Sequence, residues 1–188
     1  KTEANYINAK LSITNLNNIN PSIISIDQMQ DLLPQLSEDQ EEQISKSQFL
    51  SAKDSSAAFK YSFVYNPDGP SKINLNFPGL ILETSVSLFL KFNVENYISA
   101  IALISEHVES NNLNNTNRAS VKLPEGRGEI LRLKEGMILI DFAHDQQSMQ
   151  NILSELGNYY SDIILVFGCG GDRDKSKRPK MMKVAQDF

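Results

Sequence analysis

The chain has 188 residues, 40% of them apolar, and a formal charge of −5 at pH 7, enough for one ordinary domain or two small ones with a buried core. No basic excess of the kind that marks nucleic-acid binding is present, and no apolar run is long enough to span a membrane. Cys169 is the only cysteine and His107 and His144 the only histidines, which excludes an intrachain disulfide and a zinc cluster built around cysteine. Lys1-Thr2-Glu3 does not open a signal peptide, and the missing methionine leads us to expect an internal segment or a processed chain, cytoplasmic in character.

Tyr6 to Leu16 alternates well enough to predict a strand, and Asn15 to Pro21 an asparagine-rich loop. Ile26 to Phe49 is polar and acidic, with Met29, Leu32, Leu33, Leu36 and Ile44 at loosely helical spacing and Pro34 in the middle. One kinked helix or two short ones are expected, as a solvated insertion; a partner-binding amphipathic helix is the alternative. Ala57–Tyr65 alternates up to the turn Asn66-Pro67-Asp68-Gly69-Pro70, and Ser71–Phe77 alternates again, so the pair predicts a β-hairpin. After Pro78-Gly79, Leu80–Phe92 adds one or two strands. The first half is therefore expected to be mostly antiparallel β. Tyr97–Ile104 is apolar on most sides, the pattern of a largely buried helix, with Asn93 at the place of an N-cap. His107, near the end of that helix, is assigned no role. Glu109–Ser120 is a polar loop.

Leu123-Pro124-Glu125-Gly126-Arg127-Gly128-Glu129 has the composition of a hinge between two domains. A strand at Ile130–Leu133, a turn at Lys134–Gly136 and an apolar strand at Met137–Ile140 follow. That strand delivers Asp141 and His144 to its carboxyl end. Asp145 is placed to cap an amphipathic helix, Ser148–Leu156, closed by Gly157. Ile163–Phe167 is a β-branched apolar run, predicted to be a strand buried on both faces of a parallel sheet. It would complete a βαβ unit and end in Gly168-Cys169-Gly170-Gly171, ahead of the charged run Asp172-Arg173-Asp174-Lys175 and a helix near Pro179 with Met182 and Ala185 inward. Both charged loops would then leave the same sheet edge, where α/β proteins place ligands. An anionic-substrate site with Arg173 as its fork and a tight turn with water-facing charges fit these residues equally. The glycine spacing is neither a P-loop nor a dinucleotide fingerprint.

The run FGCGGDRDKSKRPKM resembles the carboxy-terminal domain signature of the Mur ligases, in the branch that adds the third residue, usually meso-diaminopimelate, to the UDP-N-acetylmuramoyl dipeptide. FNVENYISAIALI is similar to the end of that family's central domain, and Asp141-Phe142-Ala143-His144 to its Asp-Tyr-Ala-His motif. The resemblance is best between Leu123 and Asp187. It implies an α/β chain in which residues 1–122 end the central domain, with an insertion near 20–55, and residues 123–188 begin a Rossmann-like carboxy-terminal domain with its first βαβ part. It further implies ATP and Mg²⁺ as cofactors, UDP-muramoyl dipeptide and a diamino acid as substrates, an acyl-phosphate route, and a monomer with no nucleic-acid or membrane partner. Carried over residue by residue, Asn93 and Asn96 border adenine, Arg127 reaches the ATP phosphates, Asp141 holds ribose with His144 beside it, and Arg173 binds the carboxylate of the added amino acid.

The chain departs from the pattern at three points: Phe142 for tyrosine, Asp145-Gln146 where Thr-Pro or Asn-Pro is usual, and Leu90 where glycine is expected. The P-loop and the carbamylated lysine would belong to sequence before Lys1, and the Asp-Asn-Pro-Arg segment to sequence after Phe188. No catalytic or metal-ligating residue is therefore expected here, and the segment alone is expected to be inactive. Alternatives are another ligase of the superfamily, such as a folylpolyglutamate or cyanophycin synthetase, and a decayed domain retained as a scaffold.

Overall fold

The computed structural model describes residues 23–29, 34, 36–45, 47–114, 121–170 and 174–188. The strand expected at Tyr6–Leu16 lies outside them. The chain divides into two compact units, Lys1–Ser87 with Val94–Ser120, and Leu88–Asn93 with Val121–Phe188.

In the first unit a strand β1 (Ile23–Ser25) leads through a single turn α1 (Ile26–Met29) and a helix α2 (Glu38–Ser45) to β2 (Gln48–Ser51), β3 (Phe59–Val64), β4 (Ser71–Phe77) and β5 (Leu80–Val86). These strands form one sheet in the order β1-β2-β3-β4-β5, parallel from β1 to β3 and antiparallel from β3 to β5. The period-2 pattern explains β4, whose residues alternate buried and exposed along its whole length, as a sheet with one wet face requires. Phe59 and Phe77 meet edge to face at 5.2 Å in the core. The stretch around Ile26–Phe49 is not a solvated appendage. It connects β1 to β2, and Ile44 is buried among Ile24, Met29, Leu36 and Phe49. Of the two forms expected around Pro34, one kinked helix or two short ones, the structure has two short helices. Helix α3 (Lys91–Ser105) buries Val94, Ile98 and Ala102, a four-residue repeat on one face. A short helix α4 (Ser110–Asn114) forms where a loop was expected.

The second unit opens on Leu88–Asn93. Leu90 takes a left-handed conformation, φ 68°, although it is not glycine. Its turn starts α3 at Lys91, so Asn93 is the third residue of the helix and not its N-cap. The Lys91 amide donates to the Glu155 carboxylate, which supplies the cap. Beyond the hinge, β6 (Arg127–Leu133) and β7 (Gly136–Asp141) pair as an antiparallel hairpin with a bulge between Arg127 and Glu129. Helix α5 (Gln146–Leu156) buries Met149, Ile152, Leu153 and Leu156. Ile152 and Leu156 pack with Leu90, Met137 and Leu139, while Met149 and Leu153 pack with Met181 and Val184 of helix α6 (Lys177–Asp187). Gly157 closes α5 at φ −63°, so it is not a left-handed terminator. A Cβ there would lie 2.8 Å from the tip of the Phe188 ring, a half-exposed side chain that would have to turn aside.

Two expectations in this unit need correction. Helix α6 begins at Lys177, which puts Pro179 inside the first turn, where its missing amide is harmless. Its buried residues are Met181 and Val184, one position before the expected Met182 and Ala185. The run Ile163–Phe167 is not a paired strand. Ile164 and Val166 are 94% and 90% exposed, while Leu165 and Phe167 are at 37%. Ile163 and Leu165 line a groove of about 410 Å³ with Leu153, Gly157, Tyr160, Ser161 and Phe188. The exposure therefore has the period of a strand with one face partly covered and the other open. Among the described residues no neighbouring strand completes its ladder, and burial on both faces needs that ladder and helices on both sides.

Candidate functional site

The hinge sequence folds into a turn that fixes Arg127 from both sides. Gly126 and Gly128 each have φ +68°, a conformation that non-glycine residues avoid. The Gly126 amide donates to Glu129 Oε2 at 3.0 Å and the Gly128 amide to Asp141 Oδ2 at 2.8 Å. Glycine at 128 is required a second time, because a Cβ there would stand 2.7 Å from the Asn93 side-chain nitrogen. The hairpin register pairs Arg127 with Asp141. An arginine and an acid that the sequence separates by fourteen residues are thus brought together by one bulged ladder.

Asp141 is not a bare carboxylate at a strand end. Its Oδ1 accepts from the Ala143 amide at 2.8 Å while Oδ2 holds Gly128, so it also pins the loop that follows β7. In that loop the Arg127 guanidinium lies over the Phe142 ring, 4.6 Å from its centroid, and the His144 ring lies 5.4 Å from the Phe142 ring at 50°. Arg127, Asp141 and His144 therefore share one site. Asn93 is buried, and its Nδ2 donates to the Phe89 carbonyl at 2.8 Å. Asn96, one turn further along α3, is exposed. Arg173 lies outside the described residues.

The Asp145 departure has a local structural reason. Asp145 is the N-cap of α5, extended at φ −138°, and its Oδ1 accepts from the Ser148 amide at 2.8 Å and the Ser148 hydroxyl at 2.7 Å in a capping box. Those bonds, the hydroxyl's first, hold its carboxyl below the usual range, with smaller contributions from His144 and Lys177. The added charge therefore has partners. Lys177, the first residue of α6, donates to the His144 carbonyl at 3.0 Å, and so ties the start of α6 to the loop after β7. The two charged loops meet through this bond, across a separation of 33 residues. Just before it, Asp174 Oδ1 accepts from the Ser176 hydroxyl at 2.6 Å and amide at 2.9 Å, which lower its pKa and shape the approach to the helix.

Sequence reasoning singled out neither Lys177 nor Phe142 as a site residue. Lys177 had no signal beyond membership in a charged run, and Phe142 registered only as a departure from tyrosine. Glu129 stood beside the hinge arginine, but its bond to Gly126 depends on the bulge. Among the described residues no three His, Cys, Asp or Glu side chains gather as a metal-ligating group. No described helix is long and apolar enough to cross a membrane.

Residues 126–188, the segment that builds this site, match the glutamate ligase domain of the Mur ligases. Across 98% of its length the chain is 32% identical to a UDP-N-acetylmuramoyl-L-alanyl-D-glutamate--2,6-diaminopimelate ligase of Clostridium perfringens, of which it covers 38%. The chain is similar to Mur ligases along its length, and its residues 126–188 match their glutamate ligase domain. A ligase of the same name from Halalkalibacterium halodurans is 35% identical over 111 residues, 57% of this chain and 22% of that protein. The solved structure of a ligase of that name matches the whole chain with a TM-score of 0.55 and 28% identity, and 39% of that structure is covered. A D-alanyl-D-alanyl-adding ligase from Acinetobacter baumannii shares the fold at a TM-score of 0.55 and 16% identity, with 82% of this chain and 33% of that one covered. The chain thus spans two-fifths or less of the length of each of these relatives. The α/β class expected from the sequence is the class of the structure.

Proposed function

We propose that the chain is part of an ATP-dependent amide ligase that adds meso-diaminopimelate to UDP-N-acetylmuramoyl-L-alanyl-D-glutamate in the cytoplasm, as a step of peptidoglycan synthesis. The observation that carries this reading is the 32% identity, across almost the whole chain, to a ligase named for that donor and that amino acid. In this reaction the dipeptide carboxylate takes the γ-phosphoryl group of ATP, releasing ADP, and an amine of the amino acid then displaces inorganic phosphate from the acyl phosphate to form the amide. This segment's residues bind and orient. Arg127, fixed between Gly126 and Gly128, meets the ATP phosphates through its planar fork. Asp141 accepts from ribose hydroxyls with the lone pairs that its two amide bonds leave free. His144 flanks the nucleotide, Asn96 offers an exposed amide to adenine, and Asn93 retains its carbonyl oxygen for the same ring. Arg173 pairs with the carboxylate of the added residue. Mg²⁺ offsets phosphate charge, and the described residues are assigned no share in holding it. Substrates are small molecules and the enzyme is a monomer.

The test uses the intact ligase: phosphate release from ATP with the UDP-muramoyl dipeptide and meso-diaminopimelate, L-lysine or no amino acid. Release that depends on diaminopimelate and collapses in Arg173→Ala supports the assignment. A folded enzyme that neither binds ATP nor turns over with any acceptor refutes it.

A further inference from the structure

Among the described residues Phe142 has no place in the two apolar clusters built on α5, although its neighbour Ala143 does. It is 59% exposed, and the groups against its ring are the Arg127 guanidinium at 4.6 Å and the His144 imidazole at 5.4 Å. Burial of apolar surface does not explain a large aromatic residue at this position. Its neighbours do.

The Arg127 backbone is already held, with the flanking amides bound to Glu129 and Asp141 and two left-handed glycines around it. What remains free is the side chain, whose rotamer freedom is among the largest of any residue and opposes binding when it must be frozen. A ring under the guanidinium removes part of that freedom and leaves the donor fork open, because stacking uses the planar face and hydrogen bonding uses the edge. Phe142 follows directly on Asp141, which pairs with Arg127 in the hairpin, so the platform is delivered by the same ladder that positions the arginine.

We infer that Phe142 is a positioning residue, the platform that pre-orients the Arg127 guanidinium toward an anionic phosphate ligand. The inference rests on the proposed role of Arg127 in binding ATP. It predicts that the aromatic face matters, and a phenol would serve as well as a phenyl ring.

The experiment compares Phe142→Leu, Phe142→Tyr, Arg127→Met and the double variant Phe142→Leu/Arg127→Met in the intact ligase. ATP affinity is measured by calorimetric titration, and KM for ATP and for diaminopimelate by phosphate release. Phe142→Leu is expected to weaken ATP binding by about two- to five-fold, the size of an exposed cation–π contact, with KM for diaminopimelate unchanged. Phe142→Tyr retains wild-type affinity, and Phe142→Leu has no further effect once Arg127 is methionine. Wild-type affinity in Phe142→Leu, or an equal loss with and without Arg127, overturns the inference and leaves the ligase assignment standing. A wild-type enzyme that binds no ATP removes that assignment and the inference with it.

Discussion

Leu90 gives the sharpest test of how the second unit is held together. Two opposing effects act at this one residue. Its side chain is fully buried against Phe89, Ile152 and Leu156, yet its backbone sits at φ 68°. Removing the side chain to alanine forfeits three buried carbons and leaves a cavity, about 3 kcal/mol by the range for such truncations. The left-handed strain, about 1–2 kcal/mol for a residue with a Cβ, remains in that variant. Leu90→Gly loses one more carbon, about 0.8 kcal/mol, and adds about 0.4–1 kcal/mol of unfolded-chain entropy. The strain, however, disappears. Leu90→Ala and Leu90→Gly should therefore be destabilised equally, to within about 0.8 kcal/mol, whereas at a buried site with ordinary φ glycine would be worse than alanine by about 1.5 kcal/mol. Urea unfolding of the three proteins, compared at equal m-value, measures the difference. A glycine variant less stable than the alanine variant by more than about 1 kcal/mol would refute the claim that Leu90 carries backbone strain.

Other substitutions separate causes in the same way. Gly128→Ala should destabilise more than Gly126→Ala by about 1 kcal/mol in urea unfolding, since both strain a left-handed residue but only the first drives a Cβ to within 2.7 Å of Asn93; equal losses would remove the packing argument. Asp145→Ala should cost about 1 kcal/mol and Asp145→Asn much less, as expected of an N-cap. Because the folded Asp145 pKa is depressed, its charged-state stabilisation is present above the unfolded value near 4 and fades as pH falls through the folded value. The gap between wild type and Asp145→Asn should accordingly close in acid; a gap unchanged down to pH ~2 contradicts the assignment. Tyr61 is pushed up to about 12, first by burial and then by Glu95 and Asp27. In a phenolate absorbance titration, Tyr61→Phe should remove a tyrosine step near pH 12; a titration unchanged in that range would contradict the burial.

What could be seen in the sequence was what depends on nearest neighbours in the chain. The alternation of Ser71–Phe77, the turn at Asn66–Pro70 and the Asp145 cap each follow from residues within a few positions of one another, and each is where the sequence put it. The first sheet's parallel edge was not visible, because β1 and β2 have three and four residues and their pairing partners are distant in the chain. Ile163–Phe167 shows the opposite limit. Its composition correctly announced an apolar strand-like segment, but composition cannot say which faces are covered, and the described neighbours cover only one, and that one partly. Helix α6 slipped by a residue for a similar reason, since Met181 and Met182 are interchangeable to any periodicity argument.

At the site, the residue types were legible and their division of labour was not. Asp141 was picked out as an acid at a strand end, positioned for a ribose. The structure gives it a prior occupation, since each oxygen already holds a backbone amide, one in the hinge turn and one in the loop after β7. An ionised carboxylate has about four acceptor directions, so the two uses are compatible, and the first prepares the second by fixing where the remaining lone pairs point. The same bond sets the position of Arg127, because Gly128 is its neighbour. The contacts proposed for the nucleotide, independent in the sequence, would thus share one carboxylate as a structural anchor. Loss of ATP affinity on removing Asp141 would therefore combine a lost ribose contact with a displaced arginine, and only a variant that moves Arg127 alone, such as Phe142→Leu, separates the two.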